Sequence, residues 1–223
     1  MADWLALHGL DAADCRTRLL RIAPRLSRPA PDTALPEAEV LPAVLMALSS
    51  ALPAARKVLE RIRTELRIDL APDLQRFPRA FTLHDDGRGL PFISCPLKGR
   101  CSDLLLLAHE IGHACQSLAS GKPDLPPVQR ETAAYLAEEL VCASSGPALR
   151  SIHRVRTARI MARDGAALLQ ALDAPNAAYH YGWNYPLARD LAARAAVHLT
   201  QLAQWQVFTG QIGLPQLLEL PTV

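Results

Sequence analysis

The sequence predicts a mainly α-helical domain with a small β-hairpin beside one central helix. Three observations carry this. Half of the 223 residues are hydrophobic, aromatics are few, and Ala, Leu and Arg dominate, a composition that favours helix. Region 79–95 instead gathers strand formers around Asp85-Asp-Gly-Arg-Gly89, which is turn chemistry. Finally, His109-Glu110-Ile111-Gly112-His113 fits H-E-x-x-H. Residues four apart stack on one helix face, so both imidazoles can reach one ion.

The chain reads as one domain over 1–223: N-terminal helices over 1–67, a metal-binding core over 68–200 and a C-terminal tail over 201–223. The first predicted helix runs from Asp11 to Leu26 on Leu19, Leu20, Ile22 and Leu26, with Pro24 kinking or ending it. Arg16, Arg18, Arg21, Arg25 and Arg28 form a basic stretch that reads as a solvated face. Pro29 to Pro36 is a connector. Helices follow over Glu37–Ser50 and Pro53–Arg67, with Pro53 suited to a first turn and charge pairing on the exposed face of the second.

Arg79-Ala-Phe-Thr-Leu-His84 and Pro91-Phe-Ile-Ser-Cys95 are the expected hairpin strands. A strand beside a metal helix can bind extended peptide by adding a strand at its edge. The metal helix begins at Ser102-Asp103, a cap with an acidic first turn. Leu104, Leu107, Ala108, Ile111, Cys115 and Leu118 repeat at helical spacing, and Gly121 and Pro123 end it. Glu110 lies about one hundred degrees round the helix from His109. Its carboxylate is then beside the ion, where it can take a proton from a metal-bound water.

A catalytic zinc wants a third protein ligand and an open fourth position. The helix over Val128–Ala143 carries Glu131, Glu138 and Glu139 among alanines and leucines, a setting in which an unpaired carboxylate is costly. Glu131 and Glu138 are seven apart and share a face. Glu131 is the expected third ligand. Glu138 is the expected acceptor for the free ring N–H of a zinc histidine.

These segments resemble the core of the oligopeptidase F and thimet oligopeptidase family of zinc peptidases. The likeness rests on Pro91-Phe-Ile-Ser-Cys95, on Asp103-Leu-Leu-Leu-Leu-Ala-His-Glu-Ile-Gly-His-Ala114, and on Arg130-Glu131 with Glu138 seven residues on. It implies a zincin-like catalytic domain with His109, His113 and Glu131 on zinc and covers about residues 68–200. The family also has a downstream tyrosine-rich segment that stabilises the transition state, and Tyr179-His180-Tyr181-Gly182-Trp183-Asn184-Tyr185 is similar to it. Trp183 falls where a catalytic tyrosine is expected, and Asn176 near an expected histidine, which leaves Tyr181, Tyr185 and His180 as candidate donors to the oxyanion. The alternative for this segment is aromatic packing ahead of a helix from Leu187 to Gln204. His153, with Arg154, Arg156 and Arg159, reads as surface; His8, His84 and His198 read as singly satisfied.

The expected function is a zinc-dependent metallopeptidase that hydrolyses peptides or a specific peptide precursor by metal-activated water; the alternative is a zinc-retaining but non-catalytic peptide-binding or scaffold protein. A net charge of +2 gives no reason to expect nucleic acid or membrane partners. Family members are much longer and wall off a deep channel, so a more open cleft is expected here, one that a second copy or a partner protein could close. No secretory signal is visible after Met1. The odd, irregular set Cys15, Cys95, Cys101, Cys115 and Cys142 reads as reduced thiols, which together point to the cytoplasm.

Overall fold

The computed structural model describes residues 1–21, 28–121, 125–174 and 176–223. It is mainly helical, with one three-stranded sheet among these residues. Helix α1 (Ala2–His8), which no sequence signal announced, ends where Gly9 adopts φ 59° and returns its N–H to the Ala6 carbonyl. Buried Trp4 anchors it by donating its indole N–H to Asn184 Oδ1 at 2.8 Å. Helix α2 (Ala12–Arg21) is capped by Asp11, whose Oδ1 accepts from the N–H groups of Ala13 and Asp14. Its expected continuation through Ile22, Pro24, Arg25 and Leu26 lies outside the described residues. The basic stretch is only partly a solvated face. Arg16 pairs with Asp173 and Arg18 donates to the Leu218 carbonyl at 2.8 Å, so both tie this helix to later parts of the chain.

Helix α3 (Glu37–Ala51) and a short 3-10 turn at Pro53–Ala55 lead into α4 (Arg56–Glu65). The helix expected to reach Arg67 stops earlier, because Leu66 turns extended (ψ 147°) and Arg67–Asp69 forms strand β1. The expected hairpin is present as β2 (Phe81–Leu83) and β3 (Phe92–Ser94), antiparallel, with Thr82 opposite Ile93. Asp85 Oδ1 closes its turn by accepting from the N–H groups of Gly87 and Gly89, both at positive φ. The hairpin is not alone, however. β1 pairs in parallel with β3, so the order is β1-β3-β2 and β2 is an edge.

Helix α5 (Asp103–Ser120) follows directly. Ser102 does not cap it with its side chain. Asp103 instead turns back to accept from the N–H groups of Lys98 and Arg100, while Asp32 accepts from the N–H and hydroxyl of Ser102. Gly121 ends the helix at φ 60°; Pro123, the other expected stop, lies outside the described residues. Helix α6 (Pro127–Ala143) packs against α5 on one side and, on the other, against α9 (Asn184–His198). Between them run α7 (Pro147–Ile160), a π-helical turn at Met161–Gly165 and α8 (Ala166–Leu172). Gly112 sets the closeness of the α5–α6 crossing. A Cβ there would lie 2.7 Å from Ala134 Cα and 3.1 Å from Ala137 Cβ.

The single helix expected from Leu187 to Gln204 is two. Leu199 is extended (ψ 143°), Thr200 caps α10 (Gln201–Phe208), and the Gln204 amide donates to the freed carbonyls of Ala195, Ala196 and Leu199. Nor are residues 201–223 a tail. Val207, Phe208 and, from α11 (Leu214–Leu218), Leu214 and Leu217 belong to the same buried cluster as Trp4. Each such side chain contributes about 1.5–3 kcal/mol by burial. All five cysteines are free, as expected, four of them buried. Among the described residues no helix is long and apolar enough to cross a membrane.

Candidate metal centre

His109 and His113 sit one turn apart on α5 with ring centroids 4.8 Å apart, and α6 brings Glu131 across to both. Glu131 Oε2 is 3.3 Å from His109 Nε2, and Oε1 is 3.7 Å from His113 Nε2. One donor atom from each of the three lies within 4.8 Å of the others, close enough to share an ion. The donor set, two imidazoles and a carboxylate, suits zinc with a position left open. A further observation fits an ion here. Glu131 is 3% exposed, yet among the described residues its Oε2 has no hydrogen-bond partner, a buried acceptor that a cation would satisfy. Glu131 and Glu138 thus take different places: Glu131 faces the gap between the two Nε2 atoms, and Glu138 does not.

Glu138 is fully buried and accepts from His109 Nδ1 at 3.0 Å, which leaves Nε2 as the atom turned toward Glu131. Its other oxygen takes an N–H from Arg189 at 2.8 Å. Burial alone would raise the Glu138 pKa, but Arg189, then Arg156 and His109, hold it well below the usual range. Arg189 is the residue the sequence did not disclose. It is 2% exposed, lies 4.1 Å over the Tyr135 ring, and donates to Thr157 Oγ1 at 2.9 Å. Its guanidinium is also 3.1 Å from His153 Nε2. His153 is therefore buried, not surface; burial and then Arg189 push its pKa down to about 4. The only signal available in sequence was an arginine amid the apolar residues of α9.

Glu110, 5% exposed, lines the same cavity as His109, His113 and Glu131 and meets the sheet through Thr82. The Thr82 hydroxyl lies 2.8 Å from its Oε2 and 3.0 Å from its backbone carbonyl, so β2 fixes this carboxylate in place. Burial raises its pKa above the ordinary carboxylate value, against the opposing effects of His109 and Thr82.

The aromatic segment divides. Tyr181 donates its hydroxyl to Glu131 Oε1 at 2.7 Å. Tyr185 lines the same cavity as His109, Glu110, His113 and Glu131, and its hydroxyl has no hydrogen-bond partner among the described residues. Burial pushes its pKa up to about 12, so it remains a donor at neutral pH. His180 is not brought to the site. It is exposed and its Nδ1 accepts from the Gly182 N–H, capping the short turn Tyr181–Trp183. Trp183 is buried edge-on against Trp4 and Tyr179, and Asn176 is exposed. The other histidines are each engaged or exposed. His8 Nε2 accepts from the Val128 N–H at the start of α6, His84 lies 3.1 Å from Arg130, and His198 is exposed.

If the ion is zinc, a chain with His113→Ala should fold and bind it far more weakly. Its affinity, measured by calorimetric titration, should fall by more than the ~10–100-fold that removal of an outer partner costs. Stoichiometric zinc at wild-type affinity in that variant would remove His113 from the ligand set. Comparison of the chain with protein-family models, with curated proteins and with solved structures found no match.

Proposed function

We propose that the chain is a zinc-dependent metallopeptidase of the zincin type, resembling the oligopeptidase F and thimet oligopeptidase core. It would act on peptides or a peptide precursor in the cytoplasm, where free thiols stay reduced. The observation that carries this is the pairing of two kinds of carboxylate in one cavity: Glu131 between two imidazoles, and Glu110 beside them but held off by Thr82. A simple storage site for a cation would need the first and not the second.

His109, His113 and Glu131 would hold the zinc, which when bound supplies a Lewis acid for the scissile carbonyl and acidifies water. The chain's own groups do the rest. Glu110 takes a proton from water and returns it to the leaving amine, a task suited to a carboxylate whose pKa burial has raised. The free edge of β2 is beside the same cavity and can pair with an extended peptide, bringing its backbone to Glu110. The Tyr185 hydroxyl is the available donor to the oxyanion, because the Tyr181 hydroxyl is committed to Glu131.

This division gives a kinetic expectation. Tyr185→Phe should lower kcat by about a hundredfold or more with little change in KM. Tyr181→Phe should act first on zinc affinity, through the carboxylate it supports. His180→Ala should leave turnover per folded molecule unchanged. Full turnover in both tyrosine variants would make the segment packing alone. The function itself is tested by incubating the zinc-loaded chain with a quenched peptide library. Cleavage abolished by chelation and restored by zinc is expected. Zinc and peptide bound with no cleavage would support the peptide-binding scaffold instead, a reading favoured by the single uncommitted donor.

A further inference from the structure

The cavity at the metal centre does not end there. A second cavity of ≈ 350 Å³ shares His109, Glu110 and Tyr185 with it and reaches Arg79, Lys98 and Arg156 over a floor that includes Leu106 and Ile160. Arg156 also lines a third cavity of ≈ 870 Å³, walled by Ile152 and Val155 of α7 and rimmed by Arg28 and Arg159. Linked through these shared residues, the three make one track whose lining is both aliphatic and cationic.

The charges on this track are unequally satisfied. Beyond Glu131 at the metal centre, its carboxylates accept hydrogen bonds: Glu110 from Thr82, Glu138 from Arg189, and Asp32 from the N–H and hydroxyl of Ser102. Its cations mostly are not. Among the described residues, none of Arg28, Arg79, Lys98 and Arg159 has a carboxylate within 4.0 Å, and Arg156 is 3.9 Å from the already paired Glu138. Five cations facing one groove repel one another and lower the cost of bringing in a partner with negative charge.

We propose that this track binds the acidic flank of a peptide, with Arg79, Lys98, Arg156, Arg159 and Arg28 receiving carboxylates along one side of the metal centre. The proposal deepens the peptidase reading and rests on it for the direction in which the peptide runs. A peptide fits better than a nucleic acid. The net charge of the chain is only +2, and the track continues into a cavity bordered by an edge strand that an extended backbone can pair with.

The test is binding of labelled peptides to the zinc-loaded Glu110→Gln chain, which cannot consume them. Two extended peptides differ only in carrying Glu or Gln on one flank, each as a free acid and as a C-terminal amide. At low ionic strength the Glu peptide should bind about tenfold more tightly, the sum of several exposed pairs. The gap should close with added salt and in a Lys98→Gln/Arg159→Gln variant whose melting is unchanged. A gap seen only between acid and amide, with Glu and Gln bound equally, would overturn the track and leave recognition of a terminal carboxylate alone. Equal binding of Glu and Gln peptides, or a gap untouched by the double variant, would overturn the track, as would tighter binding of a single-stranded oligonucleotide. Cleavage by the wild-type chain is scored separately. Selective binding without cleavage counts against the peptidase reading alone, and cleavage without charge preference counts against the track alone.

Discussion

Glu110→Gln is expected to retain one zinc per chain while hydrolysis falls by a factor of about 10²–10⁴, the usual contribution of a general base. The change removes almost no shape. The Thr82 hydroxyl, now 2.8 Å from a carboxylate oxygen, can donate equally to an amide oxygen, so the side chain keeps its place. What is lost is the ability to take a proton. Glu131→Gln makes the opposite split, weakening the metal along with the activity, because its carboxylate is the one between the imidazoles. The pair is read by zinc titration and peptide hydrolysis on the same preparations. Normal zinc binding in Glu131→Gln with loss in Glu138→Gln would reverse the assignment of ligand and support.

Gly112→Ala should be the most damaging single methyl in the molecule. On an isolated helix alanine is favoured over glycine by about 1 kcal/mol. Here the new Cβ would be 2.7 Å from the Cα of Ala134 and 3.2 Å from the Ala133 carbonyl, both backbone atoms that no rotamer change can move. The helices must part, at a cost of about 1–3 kcal/mol or more, which outweighs the propensity gain. Since α5 carries His109 and His113 and α6 carries Glu131, parting them also opens the ligand set. Denaturant unfolding and zinc titration should therefore both show loss. A variant as stable as wild type with unchanged zinc affinity would show that the crossing can relax.

The parts of this site that were legible in sequence are those whose meaning lies within one helix. Two histidines four apart declare a shared face, and two glutamates seven apart declare another. The hairpin was legible because Asp85 to Gly89 is turn chemistry between strand formers. What escaped depends on partners far along the chain. Strand β1 is three residues with no pattern of its own and exists because β3 accepts it. Gly112 is an unremarkable helical glycine until α6 crosses it. Arg189 and His153 look like surface residues until Glu138 is buried between them. The resemblance to a family segment suggested His180, but its ring is taken by the local turn it caps.

The division of the site between near and distant sequence has a consequence for how the chain comes to maturity. His109, His113, Glu131 and Glu138 all belong to α5 and α6, which are consecutive and in contact. Tyr181, Tyr185 and Arg189 come from the turn before α9 and from α9 itself. Contacts between adjacent helices close short loops and form early, whereas those from the last part of the chain form late. If the centre holds zinc as proposed, the helical pair can capture it during synthesis before Tyr181, Tyr185 and Arg189 have docked. On the proposed peptidase reading, the nascent chain would thus carry its metal while still inert, and activity would arrive only with the completed fold.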